Sequence, residues 1–122
     1  MKRTYNKPTV QVGNCWKVLT PWRDSICAPA GWALKYPRGQ RVHRQPVCGY
    51  LATFASLDAA EAFVRSCAPY TFVIVPATGE SLVSYHEVTC PFWTPPTPDT
   101  PGMTQMTAPA GTMLAEAVTC LL

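Results

Sequence analysis

The sequence predicts an α+β domain: a small antiparallel sheet of about four or five strands, one helix (about 56–67) packed on one face, and an extended Pro-rich C-terminal tail. Three observations point there. Residues Gly49–Cys67 read as a strand, a short hinge and an amphipathic helix. Runs of β-branched and aromatic residues, above all Thr71–Val75 (TFVIV), alternate with turn residues. From Cys90 the composition shifts, with Pro91, Pro95, Pro96, Pro98, Pro101 and Pro109 crowding the chain.

The first element follows a polar, basic arm over residues 1–14, where Pro8 and Gly13 disfavour a helix and Thr9–Val12 suits an edge strand. Cys15–Leu19 is expected as the opening strand and Ser25–Ala28 as a short second one, with Pro21 turning the chain between them. Trp32–Tyr36 alternates large and small residues, as a half-buried strand does. Pro37–Pro46 is a loop whose Pro37 and Gly39 favour a turn.

Tyr50–Phe54 then alternates bulky and small residues as a strand. Ser56 suits a helix N-cap, because its hydroxyl can accept from a free amide of the first turn. Asp58 and Glu61 place negative charge toward the positive end of the helix dipole. Leu57, Ala60, Val64 and Cys67 recur at helical spacing, with Phe63 beside them, and Pro69 stops the helix. Thr71–Val75 is the expected central strand, Pro76–Glu80 a hairpin-length loop, and Ser81–Val88 the returning strand. Beyond Cys90, proline favours polyproline II or irregular extended chain. Thr112–Leu122 is short and apolar and is expected as a terminal helical turn or two. The division is therefore an arm over 1–14, a domain over 15–89 and a tail over 90–122.

Bulk properties restrict function more than they define it. The chain has 122 residues, 14% charged, with a net charge of +3, too mild to imply nucleic-acid binding by itself. No apolar run approaches the roughly 20 residues that span a bilayer, so no membrane partner is expected. The N-terminus is basic but lacks an apolar h-region, and the expected location is a host cytoplasm or a virion rather than a secretory route. Six cysteines stand at residues 15, 27, 48, 67, 90 and 120 without the close C-x₂₋₄-C spacing of structural zinc sites. Free thiols in apolar surroundings are the favoured reading, ahead of disulfides and a metal site, and no cofactor is expected.

Two stretches are candidate contact sites. Lys35, Arg38, Arg41 and Arg44, with His43, form an acid-free basic loop. It reads as a solvated loop, as a grip for an acidic protein or small anion, or, less favoured, as a nucleic-acid contact. In the tail, Phe92, Trp93, Met103 and Met106 are costly to leave in water, since burying one such side chain is worth about 1.5–3 kcal/mol. They are expected to lie over their own sheet or on a neighbouring subunit or partner, ahead of a disordered linker. Catalytic signatures are lacking: no phosphate loop, no H-E-x-x-H, no G-x-S-x-G, and only His43 near Cys48 as a neighbouring thiol–imidazole couple.

The order Trp16-Lys17-Val18, Ser25, Leu34-Lys35-Tyr36, Gly49 to Phe54, Ser56, Ala59-Ala60 and Phe63 resembles small uncharacterised proteins encoded by bacteriophages and found in metagenomes. The resemblance covers about residues 15–75. It implies a viral origin and an accessory role and brings no activity with it. The expectation is a non-enzymatic structural or accessory protein, possible on a virion, that works by contact with other copies of itself or with another viral protein.

Overall fold

The computed structural model describes residues 11–26, 34–45, 50–84 and 109–122, and the backbone of 92–93 and 105–106. Nine strands and one helix are assigned in it. They are β1 (Val12–Leu19), β2 (Arg41–His43), β3 (Leu51–Phe54), α1 (Leu57–Ser66), β4 (Val73–Glu80), β5 (Val83–Ser84), β6 (Phe92–Trp93), β7 (Gln105–Met106), β8 (Thr112–Ala115) and β9 (Ala117–Cys120). Seven strands make one sheet in the order β2-β9-β4-β1-β3-β8-β5, and β6 pairs with β7 separately. Every pairing is antiparallel.

The α+β class holds, but the sheet has seven strands rather than four or five. The extra strands come from the chain's end. Residues 112–120, expected as helical turns, form β8 and β9 inside the sheet, β8 between β3 and β5 and β9 between β4 and β2. The sheet thus draws on the chain as far as Cys120. One residue, Glu116, separates the two strands; its N–H donates to the Glu80 carbonyl (3.0 Å), and its own carbonyl accepts from Arg44 N–H (2.8 Å). The last stretch of chain therefore pairs with β3 before Glu116 and with β4 after it, which curls the sheet round on itself.

Alternation along the strands produces two apolar clusters. Cys15 and Leu19 of β1 join Leu51, Val75, Ala77, Val118, Cys120 and Tyr36 inside the curled sheet. The opposite face of β1, through Val18 and Trp16, meets Phe54 and the helix residues Ala60, Phe63 and Cys67. Phe54 and Phe63 are tilted rings 5.3 Å apart between centroids. Helix α1 starts as expected: the Ser56 hydroxyl accepts from Ala59 N–H at 3.1 Å. Such a cap is worth about 1 kcal/mol.

One local expectation fails for a tertiary reason. Pro76–Glu80 is not a loop but the second half of β4, paired along its length with β1. Pro76 is tolerated because its carbonyl accepts from Leu121 N–H (2.9 Å) just past the end of β9, where its missing donor breaks no ladder bond. The turn comes later, at Ser81, which takes φ 55°. Gly13 and Gly79 face each other across β1 and β4, and Leu82 folds over both; a Cβ at Gly79 would come within 2.7 Å of it. Of the expected strands at Ser25–Ala28 and Trp32–Tyr36, the described portions hold only the bridges Leu19↔Ser25 and Asp24↔Lys35. The returning strand is described only at Val83–Ser84.

Candidate functional site

The basic stretch does not converge on one point. Lys35 Nζ lies 2.8 Å from Asp24 Oδ1. Arg41 makes a two-pronged contact with Glu80, at 2.5 and 3.0 Å. That hydrogen-bonded pair holds the Glu80 carboxyl below its ordinary range, with the Arg41 and His43 charges acting in the same direction, and raises Arg41. The guanidinium of Arg44 stands 4.8 Å from the centre of the Tyr50 ring. His43 is exposed, and its Nδ1 donates to the Arg44 carbonyl at 2.7 Å. Arg38 is exposed in the turn before Gly39, whose N–H donates to the Cys120 carbonyl at 2.8 Å. Lys35 and Arg41 are thus answered by carboxylates, Arg44 lies on a ring, and Arg38 is left at the rim.

The described cysteines are free and buried, Cys15 and Cys120 inside the curled sheet and Cys67 in the cluster between the sheet and α1. Burial pushes the Cys15, Cys67 and Cys120 thiols up; Thr53 and Lys17 oppose this only partly at Cys15. A raised thiol is the reverse of what nucleophilic cysteine chemistry needs. Lys17 is only 6% exposed; its Nζ donates to the Ala52 carbonyl at 2.7 Å and sits 4.9 Å from the Tyr36 ring centre. Among the described residues no three His, Cys, Asp or Glu side chains gather as metal ligands do. Cys48 lies outside the described residues, so the His43–Cys48 couple does too.

A different place has the form of a site. At the end of β1, Thr20–Asp24 makes a tight turn: Arg23 N–H donates to the Thr20 carbonyl (2.9 Å), and Asp24 N–H to Thr20 Oγ1 (3.1 Å). Arg23 takes φ 67°, and its guanidinium bonds the carbonyls of Tyr36 (2.7 Å) and Leu122 (2.6 Å). The turn is thereby pinned to two distant segments, and it holds Trp22 out, 75% exposed. Opposite it, the chain leaving α1 runs through Pro69 and Tyr70 to Phe72. Tyr70 N–H donates to the Cys67 carbonyl at 3.0 Å, and the Tyr70 and Phe72 rings stack at 6.3 Å with 6° between planes.

Between these two walls lies an open groove of about 480 Å³. Trp22, Pro21 and Ile26 line one side and Pro69, Tyr70 and Phe72 the other, with Thr20 and Thr71 as its polar members. The surface is apolar and aromatic and carries no charge. It suits a ligand that packs flat against rings and brings little charge of its own. Sequence reasoning treated Pro21 as a turn residue and Pro69 as a helix stop and stopped there. The available signal was an aromatic residue beside a proline in each of two turns, where the sheet cannot bury it.

Of the tail residues singled out by sequence, Phe92 and Trp93 pair by backbone with Met106 and Gln105. Their side chains, and all of Met103, lie outside the described residues. No protein-family model, curated protein or solved structure matches this chain.

Proposed function

We propose that this is a non-enzymatic, phage-type accessory protein that works by contact between copies of itself, and that the Trp22–Tyr70–Phe72 groove is the contact surface. One observation carries the proposal: three aromatic side chains and two prolines line an uncharged groove, with Trp22 held 75% exposed on a turn that Arg23 ties to the Tyr36 and Leu122 carbonyls. Leaving such a ring in water forgoes about 1.5–3 kcal/mol of burial, and a rigid exposed aromatic is the usual anchor of a protein contact. Among the described residues, the buried thiols of Cys15 and Cys120 are pushed up by burial, which suits a structural part rather than a nucleophilic one.

The alternative, an anionic ligand on residues 35–44, draws less support because Lys35 and Arg41 already hold carboxylates. Light scattering coupled to size exclusion tests the leading reading. The wild type is expected to exceed the 13.4 kDa monomer mass as concentration rises. Trp22→Ala and Tyr70→Ala are expected to elute as monomers with unchanged circular dichroism. A wild type that stays monomeric up to about 1 mM, the range in which small transient contacts become populated, refutes it.

A further inference from the structure

The interior of the curled sheet holds two polar groups that the described residues do not answer, and neither belongs to the aromatic groove. Lys17 is the first. Alternation along β1 turns it to the same side as Cys15 and Leu19, and it is buried. An ammonium carries three donors. Among the described residues Lys17 Nζ uses one, to the Ala52 carbonyl at 2.7 Å. No described carboxylate pairs with it. Lys35 holds Asp24, and Arg41 holds Glu80. Glu116 is bonded beside Glu80 at the Val12 end of the sheet. Asp58 and Glu61 belong to α1, which packs on the other face of β1. A buried charge without a counter-charge is costly, and buried ions are paired for that reason. The Tyr36 ring, 4.9 Å from Nζ, offsets only part of the cost. The Tyr36 hydroxyl is the second group: it is buried and has no hydrogen-bond partner among the described residues.

We propose that the Lys17 ammonium and the Tyr36 hydroxyl form a buried site, inside the curled sheet, for a small monovalent anion of the halide class. The site is separate from the groove and does not depend on the contact between copies.

Geometry and chemistry both favour this ligand. Nζ stands over the Tyr36 ring, so the hydroxyl at the ring's edge lies on the order of 6 Å from it, the span of two hydrogen bonds to one shared acceptor. The surrounding side chains are short. Cys15 and Cys120 flank Ala77 from its two sides, through the registers Cys15↔Ala77 and Ala77↔Cys120. The Lys17 charge acts on both thiols, so they lie near it. The groups left over are donors: two ammonium N–H bonds, the phenol O–H and, weakly, the Cys120 S–H. A water molecule would accept from Lys17 and Tyr36 but bring two donors of its own. A monatomic anion only accepts, and it supplies the counter-charge that Lys17 lacks. An unpaired buried hydroxyl costs stability, and a group kept at such a cost is explained when an ion answers it.

Calorimetry on the full-length chain tests this, with sodium bromide or chloride exchanged for sodium gluconate at constant ionic strength. The wild-type Tm is expected to rise with halide and level off, by about 5 °C at ten times Kd. Lys17→Met keeps a side chain of similar length and removes the charge, and its Tm is expected not to respond. Tyr36→Phe keeps the charge. In gluconate it is expected to melt above the wild type, because the oxygen it lacks is unpaired there, and its halide Kd is expected to be about tenfold weaker. Wild-type crystals grown in bromide are expected to show an anomalous peak between Lys17 Nζ and Tyr36 Oη. If Lys17→Met fails to fold, the peak and the Tyr36→Phe titration decide the matter. A wild-type Tm no higher in halide than in gluconate overturns the proposal. So does an equal rise in the wild type and both variants, or bromide found only on surface arginines, either of which marks an adventitious ion only.

Discussion

Tyr36 offers the most direct test of how the interior of the curled sheet is built. It is 1% exposed, and its hydroxyl has no hydrogen-bond partner among the described residues. Its ring lies 4.9 Å from the Lys17 ammonium, and its backbone is bonded to Arg23 at both N–H (2.9 Å) and carbonyl (2.7 Å). Replacing Tyr36 with Phe keeps the ring, the cation contact and the backbone bonds and removes only the oxygen. Burying a hydroxyl unpaired costs about 1–3 kcal/mol, so Tyr36→Phe is expected to stabilise the fold by about 1 kcal/mol or more. With an unfolding entropy of about 2.1 cal/mol/K per residue over this length, that is a rise in Tm of about 4 °C. Scanning calorimetry reads the shift, and a urea titration reads the same gain as a higher midpoint at unchanged slope. Tyr36→Leu serves as the control: it discards both the oxygen and the ring that faces Lys17, and stability is expected to fall. Should Tyr36→Phe lower Tm by several degrees, the hydroxyl is bonded in solution and the account of this interior is wrong.

Three further expectations follow from the same geometry. Removing residues 112–122 takes away β8 and β9, which bridge β3 to β5 and β4 to β2, so the shortened chain is expected to lose its sheet signal in circular dichroism and its cooperative melt. The depressed Glu80 carboxyl contributes stability that is present above the ordinary carboxylate range and lost as pH falls through its lower folded value; Glu80→Gln is expected to flatten the acid limb of a Tm–pH curve below about pH 4.5, and an unchanged limb would remove the Arg41 pair from the account. The raised thiols act oppositely. Cys15, Cys67 and Cys120 stay protonated in the fold while the unfolded chain ionises near pH 8.5–9, so stability is expected to decline above that range by up to about 1.4 kcal/mol per pH unit for each thiol; Cys120→Ala is expected to shallow the decline, and a flat curve to pH 10 would show the thiols are not shielded.

How far these features can be read without coordinates depends on the range of the interaction that fixes them. Helix α1 is legible because its determinants lie within a dozen residues: Ser56 caps it, Ala60 and Phe63 give it a buried side, and Pro69 forbids its extension. The β1, β3 and β4 strands are legible for a similar reason, since CWKVL, LATF and TFVIV each carry residues suited to a half-buried pleat. The terminal segment TMLAEAVTCLL is different. Met, Leu, Ala and Glu favour a helix, Val and Thr a strand, and local preference leaves the matter open. The strand is chosen by partners far off, Leu51–Phe54 and Ala77–Glu80, which leave Leu114, Ala115, Ala117, Val118 and Cys120 buried once it inserts.

The groove divides in the same way. That Trp22 and Tyr70 sit in proline-marked turns is written in the chain. That the two turns face one another is not, because nothing within either turn refers to the other. Their meeting depends on β1 and β4 pairing in the register Leu19↔Val73, which brings residues nearly fifty positions apart to the same end of the sheet. The sequence alone determined the class, the helix and the turns at Pro21 and Pro69, since those answer to short-range backbone preference and capping. The tertiary structure decided strands β8 and β9, the curl of the sheet and the aromatic groove, since those answer to burial shared between segments that have no contact until the chain has folded.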